Sequence, residues 1–68
     1  MNTQFPEILK ALRRENGLNQ IELAKELNIS KSIISFWENG LRVPTLTNLI
    51  ALAKFFSVSI DYLAGLED

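Results

Sequence analysis

The chain has 68 residues, a formal net charge of −1, 47% hydrophobic residues, and neither cysteine nor histidine. A domain of this size buries only about 60% of its unfolded surface, and without thiols no disulfide framework or thiolate metal site can reinforce its core. Losing histidine removes the commonest general base and the commonest metal ligand together, so no enzyme activity, metal or cofactor is expected. Stability must then come from packed, well-capped helices, arranged as a single domain over residues 1–68. No charged segment precedes an apolar stretch at the N-terminus, so no signal peptide is read there. No apolar run reaches the roughly 20 residues of a membrane span; the longest, 46–56, is interrupted by Thr47, Asn48 and Lys54. A cytoplasmic protein is expected.

In chain order, helix 1 carries Phe5, Ile8, Leu9 and Leu12 at helical spacing, with Pro6 tolerated in its first turn. It stops at Gly17-Leu18, a residue suited to left-handed backbone followed by an apolar one that packs back on the last turn. Asn19 caps helix 2, and Glu22 three residues on completes a capping-box pattern. Helix 2 presents Leu23, Ala24 and Leu27 and ends at Asn28-Ile29. Ser30 caps helix 3, about Lys31 to Glu38, whose apolar set is Ile33, Ile34 and Trp37, with a stop at Gly40-Leu41. Thr45 opens helix 4, where Leu46, Leu49, Ile50, Leu52, Ala53 and Phe56 make it apolar on most sides and therefore expected to be central. Ser57-Val58 ends it, serine being the least suited of the four stop residues. Ser59 caps a short helix 5 with Ile60 and Leu63. No stretch alternates with period two for long enough to argue a strand, so the fold class is all-α with five helices.

Helices 2 and 3 are separated only by Asn28, Ile29 and Ser30. A turn this short forces a sharp angle, and Ala24 sits where the two helices should approach most closely. This is the helix-turn-helix arrangement, whose second helix enters the major groove. Residues Gln20 to Trp37 resemble the helix-turn-helix of the lambdoid phage repressor and Cro family, also called the XRE family. Gly17-Leu18-Asn19-Gln20-Ile21-Glu22-Leu23-Ala24 is similar to that family's entry into helix 2, and Trp37-Glu38-Asn39-Gly40 to its exit from helix 3. Pro44, Leu49, Ala53, Val58, Ser59, Asp61 and Leu63 fit its last two helices, so the resemblance runs from about Ile8 to Leu63. It implies a compact five-helix, lambda-repressor-like domain that binds double-stranded DNA. Asn28 departs from the family's usual glycine but can take the same left-handed turn.

With Ile34 and Trp37 inward, the outermost positions of helix 3 are Ser32, Ser35 and Phe36, while Lys31 projects from the first turn and Ile33 lies at the boundary. Base reading in this motif comes mainly from the N-terminal part of the recognition helix. Lys31 can donate to guanine O6 or N7, and Ser32 and Ser35 can pair with several bases, partly through water. For Phe36 three readings stand open: packing on a thymine methyl, folding onto a neighbouring side chain, or contact with a partner protein. Gln20 opens helix 2, where free N–H groups and the dipole attract an anion, and the resemblance implies phosphate contacts for Gln20 and Asn19; a pure capping role for Asn19 is the alternative. Asn39 and Arg42 follow helix 3, where the family's loop tracks the sugar-phosphate backbone. Arg13 falls at the edge of the helix 1 core stripe, and Glu38 sits in the last turn of helix 3, where the macrodipole disfavours a negative charge. A partly buried, structural Arg13–Glu38 ion pair is expected, and the resemblance implies the same.

The net charge counts against nucleic-acid binding, but its distribution softens the objection. Glu38 is assigned to Arg13, and Asp61, Glu67 and Asp68 lie at the C-terminal end, while Lys31, Arg42 and Arg14 lie on or near the DNA face. Few phosphates would be neutralised per subunit, giving a shallow salt dependence and weak binding by one copy. A homodimer on a palindrome is therefore expected, with exposed Leu41, Val43, Tyr62 and Leu66 as its interface unless these are ordinary core or rim residues. The expected function is a transcriptional regulator, most simply a repressor. The alternatives are a protein-interaction module such as an antitoxin or anti-repressor partner, using Phe36 and Ile33, and an enzyme. Ending at Asp68, the sequence reads as a compact Cro-like regulator or as an excised N-terminal domain.

Overall fold

In the computed structural model, which describes residues 4–66, the chain forms α1 (Phe5–Glu15), α2 (Gln20–Leu27), α3 (Lys31–Glu38), α4 (Leu46–Phe56) and α5 (Ile60–Leu63). The acidic pair Glu67 and Asp68 lies outside the described residues. Four of the helices begin on the expected caps. The side-chain oxygens of Asn19, Ser30, Thr45 and Ser59 accept from the backbone N–H groups of Glu22, Ile33, Asn48 and Tyr62 at 2.7, 3.4, 3.2 and 2.9 Å. Each such cap satisfies one orphan donor and stabilises by about 1 kcal/mol. At α2 the box is complete, because Glu22 Oε1 also accepts from the Asn19 N–H at 2.9 Å. The first helix starts differently: Gln4 makes no side-chain cap, and Pro6 stands in the first turn, where its missing N–H has no partner to lose.

Every helix ends on a left-handed residue, Gly17, Asn28, Gly40, Ser57 and Gly65, with φ of 70, 57, 71, 56 and 76°. In each case the following N–H reaches back to a carbonyl five residues earlier. These bonds are Leu18 to Arg13, Ile29 to Ala24, Leu41 to Phe36, Val58 to Ala53 and Leu66 to Asp61, at 2.9–3.1 Å. This is the Schellman closure, and the fifth instance, Gly65-Leu66, was not anticipated. The expected packing of the next apolar residue holds for Leu18, Ile29 and Val58, which lie against the core. It fails for Leu41, which is 70% exposed, and Leu66 after the fifth stop is 72% exposed.

The core takes one fully buried residue from each helix in turn: Leu9, Leu23, Ile34, Leu52 and Leu63. Trp37 is buried with its ring edge-on to Phe5, centroids 6.3 Å apart, which ties α3 to the start of α1. Helix α3 packs against both α2 and α1, while α5 packs against α4 and α1. One expectation needs correction. Leu46 and Ile50 were placed in the core stripe of a central α4, but they are 65% and 38% exposed, and only Leu49, Leu52, Ala53 and Phe56 are buried. Those four follow an i, i+3, i+4, i+7 stripe, one face of a helix, and Leu46 and Ile50 lie off it, facing solvent. No helix among the described residues is long and apolar enough to cross a membrane.

Candidate nucleic-acid interface

The turn between α2 and α3 is built from the end of one helix and the cap of the next. Asn28 adopts the left-handed conformation (φ 57°, ψ 45°) and Ser30 the extended one (φ −80°, ψ 151°). Nothing separates the two helices except these residues and Ile29. Ala24 is buried at 3% exposure, and its carbonyl accepts the turn's Ile29 N–H.

Helix α3 buries Ile34 and Trp37 and turns its first residues to solvent: Lys31 and Ser32 are exposed. Ser35 and Phe36, expected among the outermost positions, are instead half-buried, as is Ile33. The reason is the chain that follows the helix. Asn39 Nδ2 donates to the Ser35 carbonyl at 2.8 Å and to its Oγ at 3.3 Å, and the Arg42 guanidinium lies 4.7 Å from the Phe36 ring centre. Of the three readings left open for Phe36, contact with a neighbouring side chain is therefore present, and the ring is only partly covered by it.

Arg13 and Glu38 meet in a two-point contact. Arg13 Nε donates to Glu38 Oε2 at 2.6 Å and Nη2 to Oε1 at 2.9 Å. Both residues are buried, at 9% and 4% exposure. Each makes one further bond: Arg13 Nη1 donates to the Leu18 carbonyl at 2.9 Å, and Glu38 Oε1 accepts from Gln20 Nε2 at 3.1 Å. Burial by itself pushes the Glu38 carboxyl up, but the hydrogen bonds from Arg13 and Gln20, with the charges of Arg13 and Lys10, outweigh it and hold the group below its ordinary value. The bond to Glu38 raises the Arg13 guanidinium in turn, against a smaller opposing effect of burial. The pair thus fastens the end of α1, the α1–α2 turn, the start of α2 and the end of α3 to one another. Its link to Gln20 was not foreseen, since nothing in the spacing of residues 20 and 38 announces a tertiary hydrogen bond.

The residues expected at phosphates occupy two places. Asn19 and Gln20 stand at the start of α2, Asn19 exposed but committed through its side chain to the cap, Gln20 half-buried with one amide hydrogen on Glu38. Asn39 and Arg42 follow α3 and are exposed. Arg14 is exposed on α1. Three of these residues touch α3 directly: Gln20 through Glu38, Asn39 through Ser35 and Arg42 through Phe36.

Residues 9–63 match the family model described as helix-turn-helix. The chain is 42% identical over 65 residues to the HTH-type transcriptional activator BcrR of Enterococcus faecalis, a match covering 96% of this chain and 32% of that protein. A transcriptional regulator from Listeria innocua has the same fold over 100% of the chain, with a TM-score of 0.89 and 34% identity, covering 64% of that structure. The DNA-binding domain of the P22 C2 repressor matches with a TM-score of 0.81 and 39% identity, over 93% of this chain and 84% of that one. The chain spans about a third of the activator's length.

Proposed function

This chain belongs to the XRE-type, lambda-repressor-like helix-turn-helix family, and from that premise we propose that it binds double-stranded DNA sequence-specifically by inserting α3 into the major groove. The observation that carries this reading is the exposed first turn of α3, with Lys31 and Ser32 facing solvent from a helix clamped on its other side by Ile34, Trp37 and the Arg13–Glu38 pair. Lys31, Ser32, Ser35 and Phe36 read bases. Asn19, Gln20, Asn39 and Arg42 hold phosphates, which fixes register without reading sequence. The Arg13–Glu38 pair is structural. In the cell the protein is a cytoplasmic transcriptional regulator, most simply a repressor acting as a homodimer on a palindromic operator, with no catalytic step, metal or cofactor.

Dimerisation is supported by the small number of cations on this face, since Lys31, Arg42 and Arg14 neutralise few phosphates per copy, and by the exposed apolar residues Leu41, Val43, Tyr62 and Leu66. The protein-interaction alternative draws less support: Ile33 packs partly against the core and Phe36 is partly covered by Arg42, which leaves the two with little continuous apolar surface. The test is selection of bound duplexes from a random pool, followed by titration of selected and random duplexes at several salt concentrations. A selected duplex should bind at least about 10³-fold tighter than random sequence. Uniformly weak binding that Phe36→Ala leaves unchanged overturns the proposal.

A further inference from the structure

We infer that Arg42 is a positioning residue for methyl reading: seated over the Phe36 ring, it fixes that ring so that its uncovered part takes the C5-methyl of a thymine in the major groove. The inference rests on the DNA-binding reading above and deepens it at one position. Its starting point is the turn after α3. Gly40 at φ 71° and the 2.9 Å bond from the Leu41 N–H to the Phe36 carbonyl reverse the chain, so that residue 42 returns to residue 36 and places the guanidinium 4.7 Å from the ring centre.

On a helix a side chain is ordinarily steadied by its neighbours three and four positions earlier. For Phe36 these are Ile33, turned partly into the core, and Ser32, exposed and too small to wall a phenyl ring. Arg42 supplies the missing wall. A guanidinium over an aromatic ring is held there by cation–π attraction, which leaves its N–H donors available to a phosphate oxygen. The stack thereby links a backbone contact to a base contact, since the phosphate that holds Arg42 also holds the ring. The half-buried ring retains an open portion, and an apolar side chain there is matched by the one apolar group the major groove presents, the thymine methyl.

The test uses a selected duplex in which thymines are replaced one at a time by deoxyuridine, which pairs identically but lacks the methyl. The expected result is one position per half-site where the wild type loses about fourfold in affinity, the value for one buried methyl-sized group, and where Phe36→Ala shows no loss. Arg42→Ala should reduce the thymine-to-uracil ratio at that position towards one and also lower the salt slope by about one per subunit. Arg42→Lys should restore the slope but only part of the ratio, because a compact ammonium is attracted to the ring yet covers less of it than a guanidinium. Lys31→Ala should lower the slope and leave the ratio unchanged. If Arg42→Ala lowers the slope while the ratio keeps its wild-type value, Arg42 is a phosphate contact only and the inference is overturned. A duplex with no methyl-sensitive thymine overturns it equally, with DNA reading intact. Failure to select any duplex overturns both.

Discussion

Replacing Arg13 by methionine is expected to remove a large part of the protein's stability, because it strands a buried carboxylate. The Glu38 carboxylate is buried and accepts three hydrogen bonds, two of them from Arg13 at 2.6 and 2.9 Å. Without Arg13 it keeps only the 3.1 Å bond from the Gln20 amide, and a buried charge left this way destabilises by about 3–5 kcal/mol. A chain of 68 residues has a total stability of only about 3–10 kcal/mol. At about 4–8 °C per kcal/mol for a domain of this size, the melting temperature should fall by at least about 12 °C. Glu38→Leu should lose a similar amount, by stranding the guanidinium. The double variant Arg13→Met with Glu38→Leu should recover most of the loss, because replacing both members of a buried pair with apolar groups of similar volume is close to neutral or stabilising. Thermal and urea melts of the four proteins, followed by far-ultraviolet circular dichroism, complete the cycle. Two losses that simply add, with coupling below about 0.5 kcal/mol, would refute the reasoning that each residue is needed chiefly because the other is buried.

The same pair sets a pH dependence. Glu38 is held below its ordinary value in the folded protein, so its contribution is present above the unfolded carboxylate range and disappears as pH falls through the folded value; melts from pH 7 downward should show acid destabilisation that is smaller in Glu38→Gln. Ser57 is a non-glycine residue at φ 56°, and relieving about 1–2 kcal/mol of left-handed strain, less about 0.4–1 kcal/mol of added chain entropy, makes Ser57→Gly stabilising by up to about 1.5 kcal/mol; a lower melting temperature contradicts it. Leu46→Gln, on the exposed face of α4, should alter stability by no more than about 0.5 kcal/mol, whereas Leu52→Ala in the core should cost about 2–5 kcal/mol; urea midpoints of the two distinguish the faces. Asn19→Asp keeps an oxygen acceptor for the Glu22 N–H and should melt within a few degrees of wild type, yet repel a phosphate and weaken duplex binding severalfold. Equal affinity would reduce Asn19 to a cap.

What the sequence made legible is mostly local. Helix ends at Gly17, Asn28, Gly40 and Ser57 were readable because left-handed backbone needs particular residues and the caps that follow need short polar ones. Gly65-Leu66 carries the same pattern, but α5 is a single turn, too short to show the periodic face that marks a helix before its stop. The α4 stripe was over-read: Leu46 and Ile50 are apolar, but burial depends on a covering element, and no periodicity reports whether one exists. At the interface, the inward face of α3 followed from Ile34 and Trp37. The half-burial of Ser35 and Phe36 did not, because it is imposed by Asn39 and Arg42 after the chain has turned back. Likewise Arg13 and Glu38 were identifiable as a charge out of place beside a core stripe, while the Gln20 bond that completes their environment is a purely tertiary contact between residues 18 positions apart.

The central claim is that α3 reads DNA sequence from Lys31, Ser32, Ser35 and Phe36. Its most direct test is the salt-dependent affinity of the protein for a selected duplex and a random one. A selected sequence should be bound at least about 10³-fold more tightly, with a shallow slope of about −2 to −3 per subunit for the two or three cations proposed to face DNA. Equal affinity for both duplexes at every salt concentration would contradict it.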